Sequence, residues 1–187
     1  IKVAWEGLPY TIESVLTIKD SLEEISEKIE MHFVTDIHYY KYNKRFFKSD
    51  TKEILREINV PMKFIPWRKE DFAQNIRQCD LAIIPINSKN PFHMGKPENK
   101  LVLLWKLGMP TLTYPTPCYQ RAINGLGEDM LCSTSDEWKE KILKYGYMNS
   151  KEKEELVKKI SNYVEKNYSY SALESKWQTL FKSLGVL

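Results

Sequence analysis

Lys96 and Lys100 stand four positions apart, with Asn99 beside the second, where a polar loop gives way to an apolar run from about Pro97 to Leu107. That run has helical spacing, so the two ammonium groups fall at a helix amino terminus. The first amides of a helix have no partner within it, and its dipole ends positive there, which suits an anion. Lysines at such a start add full charge of the sign that stabilises a leaving diphosphate as a sugar–phosphate bond breaks. The plain alternative is a solvated helix start. Glu98 would repel phosphate, so it either turns away as a helix-start acid or accepts from ribose hydroxyls.

Other candidates surround this point. His93 and Gly95 lie in the polar loop before the helix, and His93 is the best placed of the three histidines. His32 sits in an apolar run and reads as a packed side chain, while His38 lies among tyrosines. Pro115 to Tyr119 follows a later strand, where Tyr119 can line a pocket and two prolines stiffen the turn. Gly7 follows the first strand, where it serves either as a turn glycine or as a place for a phosphate or sugar to approach the backbone.

Several chemistries lack their motifs. The loop Glu6-Gly7-Leu8-Pro9-Tyr10 carries one glycine where a dinucleotide site needs GxGxxG, and GxxxxGK[ST] is absent too. No GxSxG turn or Cys/His pairing supports nucleophilic hydrolysis. No metal-ligand cluster is visible. The run HYYKYNKRFFK, from His38 to Lys48, resembles a basic–aromatic nucleic-acid surface. Aromatic side chains there more often pack or face a partner domain, so nucleic acid is not the expected partner.

The elements that must position these residues follow from pattern. Buried strands are expected at Ile1–Trp5, Met31–Thr35, Met62–Pro66, Leu81–Ile86 and Thr111–Tyr114, with a weak one at Asp129–Cys132. Between the first two, Leu16, Leu22, Ile25 and Ile29 suggest one amphipathic helix. Asp50 or Thr51 caps a helix to about Ile58, Glu70 to Arg77 forms another, and a short one runs near Tyr119–Asn124. Ser133–Asp136 is an N-cap cluster for a helix through Leu143. Helices at about Lys151–Lys166 and Ser171–Leu184 close the chain. The fold class is therefore α/β: a doubly wound parallel sheet of about six strands, Rossmann-like, with extra C-terminal helices. Residues 1–187 read as one domain. The stretch from Cys79 to Tyr119 is a βαβ unit whose polar loop lies where such sheets bind ligands. The expected ligand carries a diphosphate, foremost a nucleotide sugar.

The 187 residues suffice for a real core, and 42% hydrophobic with 28% charged residues describes a folded chain. A net charge of +3, with both signs alternating through the helices, gives no argument for nucleic acid. Cys79, Cys118 and Cys132 are odd in number and lack a CxxC pair, as expected for reduced thiols of a cytoplasmic protein. No run is long and apolar enough to span a membrane. Contact of a full-length protein with the inner face of a membrane stays open. The chain begins Ile-Lys-Val without Met, as a piece of something longer would.

The order Lys96-Pro-Glu-Asn99-Lys100, Leu107-Gly108-Met-Pro110, Pro115-x-Pro117-x-Tyr119, Asn124-Gly125 and Ser135-x-x-Trp138 resembles the carboxyl-terminal half of GT-B glycosyltransferases of the group 1, family 4 class. Tyr168-Ser169 and Trp177 are similar to its closing segment. The resemblance implies a half that holds a nucleotide-sugar donor without a further cofactor. An amino-terminal domain of the same chain would bring the acceptor, and transfer would be retaining and metal-independent. The phosphate-contacting positions would fall on Lys96, Asn99 and Lys100. The usual two glutamates would fall on Gly95 and Leu103, which are not acidic; Glu98 is the candidate substitute. This piece alone would not turn over. The alternatives are a non-catalytic nucleotide-binding or protein-interaction module and a sugar-nucleotide epimerase, which would need His93 and Glu98 as acid and base.

Overall fold

The computed structural model describes residues 1–41 and 47–186, and within these the side chains of 39–41, 47 and 48 are not described. Five strands form one parallel sheet in the order β5-β2-β1-β6-β7. They are β1 (Lys2–Glu6), β2 (Glu30–Thr35), β5 (Met62–Pro66), β6 (Leu81–Ile84) and β7 (Thr111–Thr113). Strand β1 pairs with β2 on one side, Val3 opposite Met31, and with β6 on the other, Val3 opposite Leu81. The chain leaves β1 in one direction and returns to its other side at β6. The topological switch therefore lies between their carboxyl ends.

The sixth expected strand is reduced to a single bridge, Thr113 to Leu131. Thr113 donates to Met130 and accepts from Cys132, but the pairing stops at once. Pro115 has no amide to extend β7, and the next residue along, Ser133, already turns toward the carboxylate of Glu137.

A hairpin, β3 (His38–Lys41) with β4 (Phe47–Asp50), follows β2. Its tip and most of its side chains, and so the basic–aromatic run, lie outside the described residues. The amphipathic helix expected after β1 is broken. A 3-10 turn (Pro9–Thr11) leads to α1 (Glu13–Leu16), and α2 (Lys19–Glu24) restarts after Ile18. Leu16 stands six residues before Leu22, off the helical repeat, and is only half-buried, whereas Ile18, Leu22, Ile25 and Ile29 enter the core.

The remaining helices arise close to their expected places. Asp50 caps α3 (Thr51–Leu55). Helix α4 (Phe72–Arg77) buries Phe72 and Ile76, four apart. A short α5 (Pro91–Met94) sits within the polar loop, and α6 (Asn99–Lys106) follows. Gly108, at φ 74°, ends α6 in the left-handed conformation that lets Met109 donate back to Leu104. Then come α7 (Pro117–Leu126), α8 (Ser135–Gly146), α9 (Ser150–Tyr168) and α10 (Tyr170–Ser183). Helices α2 and α8 pack together, and α9 covers α6 and α7. The core joins Val3, Trp5, Phe33 and Ile83 of the sheet to Trp105 of α6 and Trp138 of α8, all buried.

Candidate functional site

The crevice beyond β1 and β6 is lined by Trp5, Thr11, Ser14, Ile84 to Ile86, Lys96, Pro97, Asn99, Lys100 and Tyr119, around a cavity of about 190 Å³. Four residues expected from sequence thus meet here: Lys96, Asn99, Lys100 and Tyr119. They meet because β6 ends at the switch point and α6 starts beside it. Glu98 precedes α6 without a side-chain cap, so among the described residues the first amides of this helix have no side-chain acceptor.

The two lysines differ. The Lys100 ammonium reaches across to the end of β1, where it donates to the Glu6 carbonyl oxygen at 2.6 Å. It stands 3.5 Å from the Glu6 carboxylate and 5.8 Å from the centre of the Trp5 ring. Lys96 is half-covered, and burial followed by the charge of Lys100 lowers its pKa from the usual lysine range. A neighbouring anion would relieve both effects.

Gly7 serves by its size. Its amide faces the Val34 carbonyl at 3.4 Å and its carbonyl accepts from Thr35 at 2.6 Å, so its backbone is committed to β2. A Cβ there would fall 2.8 Å from Thr11 Oγ1 and 3.0 Å from Lys100 Nζ. The glycine makes room for the lysine.

Glu98 turns from the crevice. Its carboxylate accepts from Arg121 at 2.8 Å and from the Tyr168 hydroxyl at 3.1 Å. Burial raises its pKa, but hydrogen bonds from Arg121, from its own backbone and from Tyr168 outweigh that, leaving it below the usual range. It ties α6 to α7 and α9.

His93, Gly95 and Pro115 are not part of the cavity lining. His93 is buried on α5 with Nδ1 lacking a partner among the described residues, and burial, then Lys96, lowers its pKa. Gly95 is an exposed C-cap of that short helix. Pro115 is half-buried in the turn before α7. Tyr119 is buried, which pushes its phenol up to about 12.

Sequence reasoning missed Thr11 and Ser14 of the lining, and Glu6, which is not part of the lining but holds Lys100. Ser14 is a buried polar residue of the short α1, in a stretch that read as part of one long helix. A second polar crevice of about 520 Å³ shares Ile86 with the first and is lined by Thr17, Asp20, Ser21, Asn87, Ser88, Lys89, Tyr114 and Ser133 to Ser135. A larger hollow lies between α9 and α10, away from the strand ends. Among the described residues no group of three or more His, Cys, Asp or Glu stands together to hold a metal ion. No described helix is long and apolar enough to cross a membrane.

No protein-family model matches the chain, and no curated protein does. Among solved structures it is similar to WaaG, a glycosyltransferase involved in lipopolysaccharide biosynthesis. The TM-score is 0.61 at 14% identity, covering 94% of this chain and 45% of that one. It is also similar to the catalytic domain of cholesterol-alpha-glucosyltransferase from Helicobacter pylori, with a TM-score of 0.52 at 16% identity, covering 94% of this chain and 98% of that one. This chain therefore spans under half the length of the WaaG chain it matches. The fold they share is an α/β Rossmann-like half of the kind that builds glycosyltransferases.

Proposed function

We propose that the chain is the donor-binding half of a glycosyltransferase that moves a sugar from a nucleotide-diphosphate sugar to a glycan, lipid or other acceptor. The observation that carries the reading is the convergence of Lys96, Lys100 and the uncapped amides of α6 on the switch-point crevice. The shared fold with two glycosyltransferases supports it as analogy. A cavity of about 190 Å³ is smaller than the roughly 300–1,000 Å³ of typical ligand sites. It therefore takes the diphosphate, and the polar crevice across Ile86 gives the rest of the ligand room.

Chemically, the crevice stabilises departing charge. As the anomeric carbon becomes oxocarbenium-like, negative charge grows on the diphosphate, and preorganised cations and amides meet it there. Transfer is retaining and metal-independent in this reading, with acceptor and remaining catalytic groups on an amino-terminal domain of the same chain, so this piece alone does not turn over. The site belongs to the cytoplasmic side, where nucleotide sugars are made.

A thermal-shift screen against UDP, GDP, CDP and ADP with their common sugars should find a stabilising ligand. A ligand at a hundredfold over its Kd stabilises by about 2.7 kcal/mol. Lys100→Ala and Lys96→Ala should each weaken nucleotide-diphosphate binding about tenfold or more, since hydrogen bonds to charged groups contribute about 1.5–3 kcal/mol. Unchanged calorimetric binding in both variants, with the fold intact, removes the site. A second reading, a non-catalytic nucleotide-binding module, is favoured by Gly95 and Leu103 standing where the resembled class has glutamates. It predicts binding without transfer when a full-length chain is supplied with donor and acceptor.

A further inference from the structure

We propose that Glu6 is the residue through which this crevice reads hydroxyl groups, so that its ligand class is polyhydroxylated diphosphates rather than bare polyphosphates. The inference rests on the donor-binding reading above and adds a specificity-determining residue to it.

Glu6 is the last residue of β1, at the switch point itself. Its side chain is 18% exposed and, without being part of the cavity lining itself, stands against the lining residue Lys100 at the rim of the crevice. The short bond from Lys100 goes to the Glu6 main-chain oxygen, 2.6 Å away, whereas the carboxylate stands 3.5 Å from the same ammonium. The lysine is thus anchored by the backbone, and the carboxylate is held beside it by charge. Among the described residues no N–H or O–H within hydrogen-bond geometry donates to the Glu6 carboxylate oxygens. An ionised carboxylate is acceptor-only, with about four lone-pair sites. Mostly covered acceptors with open sites favour a ligand that brings donors.

Phosphoryl oxygens bring none and are repelled, but two vicinal hydroxyls of a ribose or sugar ring can reach both oxygens of one carboxylate. Lys100 then stands between the two functions, its charge facing phosphate while its anchor holds it against the acid. Other acids near the start of α6 are unsuited to this: Glu98 is taken by Arg121 and Tyr168, and positions 95 and 103 hold Gly and Leu.

The test is calorimetry on wild type, Glu6→Gln and Glu6→Asp with UDP-glucose, GDP-mannose, UDP, GDP and inorganic pyrophosphate. Glu6→Gln, nearly the same shape, should weaken the better-bound sugar nucleotide about tenfold while tightening pyrophosphate severalfold. Glu6→Asp keeps the charge but retracts it by one methylene, so it should weaken the sugar nucleotide without tightening pyrophosphate. If the parent nucleoside diphosphate weakens alongside, the ribose diol is read; if only the sugar nucleotide weakens, the sugar is. Changes of equal size and sign for all ligands in Glu6→Gln overturn the proposal while leaving the lysine crevice standing. Wild type that binds none of the five overturns both.

Discussion

Lys96 carries a pH signature of the crevice. Burial and the charge of Lys100 lower its pKa, so the ammonium is lost earlier than an ordinary lysine as pH rises. Binding of a nucleoside diphosphate should weaken as pH rises toward that lowered value. In Lys96→Arg, which stays charged, that alkaline loss should move to higher pH. Calorimetric titrations between pH 7 and the onset of unfolding check this, and an identical profile in both proteins removes Lys96 from the site. Lys96, Asn99 and Lys100 were legible in sequence because charge at a helix start is a local pattern. Glu6 was not, because only the fold brings a β1 residue to a lysine 94 positions later. Glu98 was equally ambiguous, since its partners Arg121 and Tyr168 lie 23 and 70 positions away.

At the level of elements, the amino terminus of α8 is the most fully satisfied. Thr134 accepts from the Glu137 amide, and the Glu137 carboxylate accepts from Ser133 and Thr134 in return, forming a reciprocal capping box. Hydrogen bonds from the Ser133 hydroxyl and the Ser133 and Thr134 amides pull the Glu137 carboxyl down to about 2. A depressed folded pKa means that its contribution to stability is present above the ordinary carboxylate range and is lost as pH falls toward about 2. Thr134→Ala should cost about 1 kcal/mol and lower Tm by about 2–4 °C in a chain of this size. The acid limb of a stability-versus-pH curve should stay, because the donors to the Glu137 carboxylate are Ser133 and the Thr134 amide, and an unchanged Tm would mean that water replaces the cap at no cost. The helix after β1 was misread for the opposite reason. Its apolar residues are all present, but the helix breaks at Ile18, where no glycine or proline marks a stop along the chain.

Across the whole molecule, the last helix stands apart. Helix α10 has no buried residue, and Tyr170, Leu173, Trp177, Leu180 and Leu184 are exposed along it at three- and four-residue spacing. It is joined to α9 through contacts such as Lys176, which donates to the Asn167 carbonyl at 2.9 Å. A chain ending at Ser169 should therefore keep the fold and the crevice. Its Tm should fall by less than about 4 °C, the shift that roughly 1 kcal/mol makes at this size. Loss of cooperative unfolding in that shortened chain would show that α10 contributes to the core in a way its exposure conceals.

The sequence by itself determined what depends on neighbours along the chain. The buried strands came from continuous apolar runs, the helix starts from Asp50 and Ser133 to Asp136, and the stop of α6 from Gly108. The charged helix start beside β6 came from a spacing of four. Only the tertiary structure decided which edge pairs for how long, so that the sixth strand shrank to one bridge at Leu131. It alone decided which way each charged side chain turns, sending Lys100 to the end of β1 and Glu98 away to Arg121. The physical reason is the same in each case. Periodicity and caps are set within a few residues, whereas a side chain's partner is whatever the folded backbone places within three or four ångströms of it.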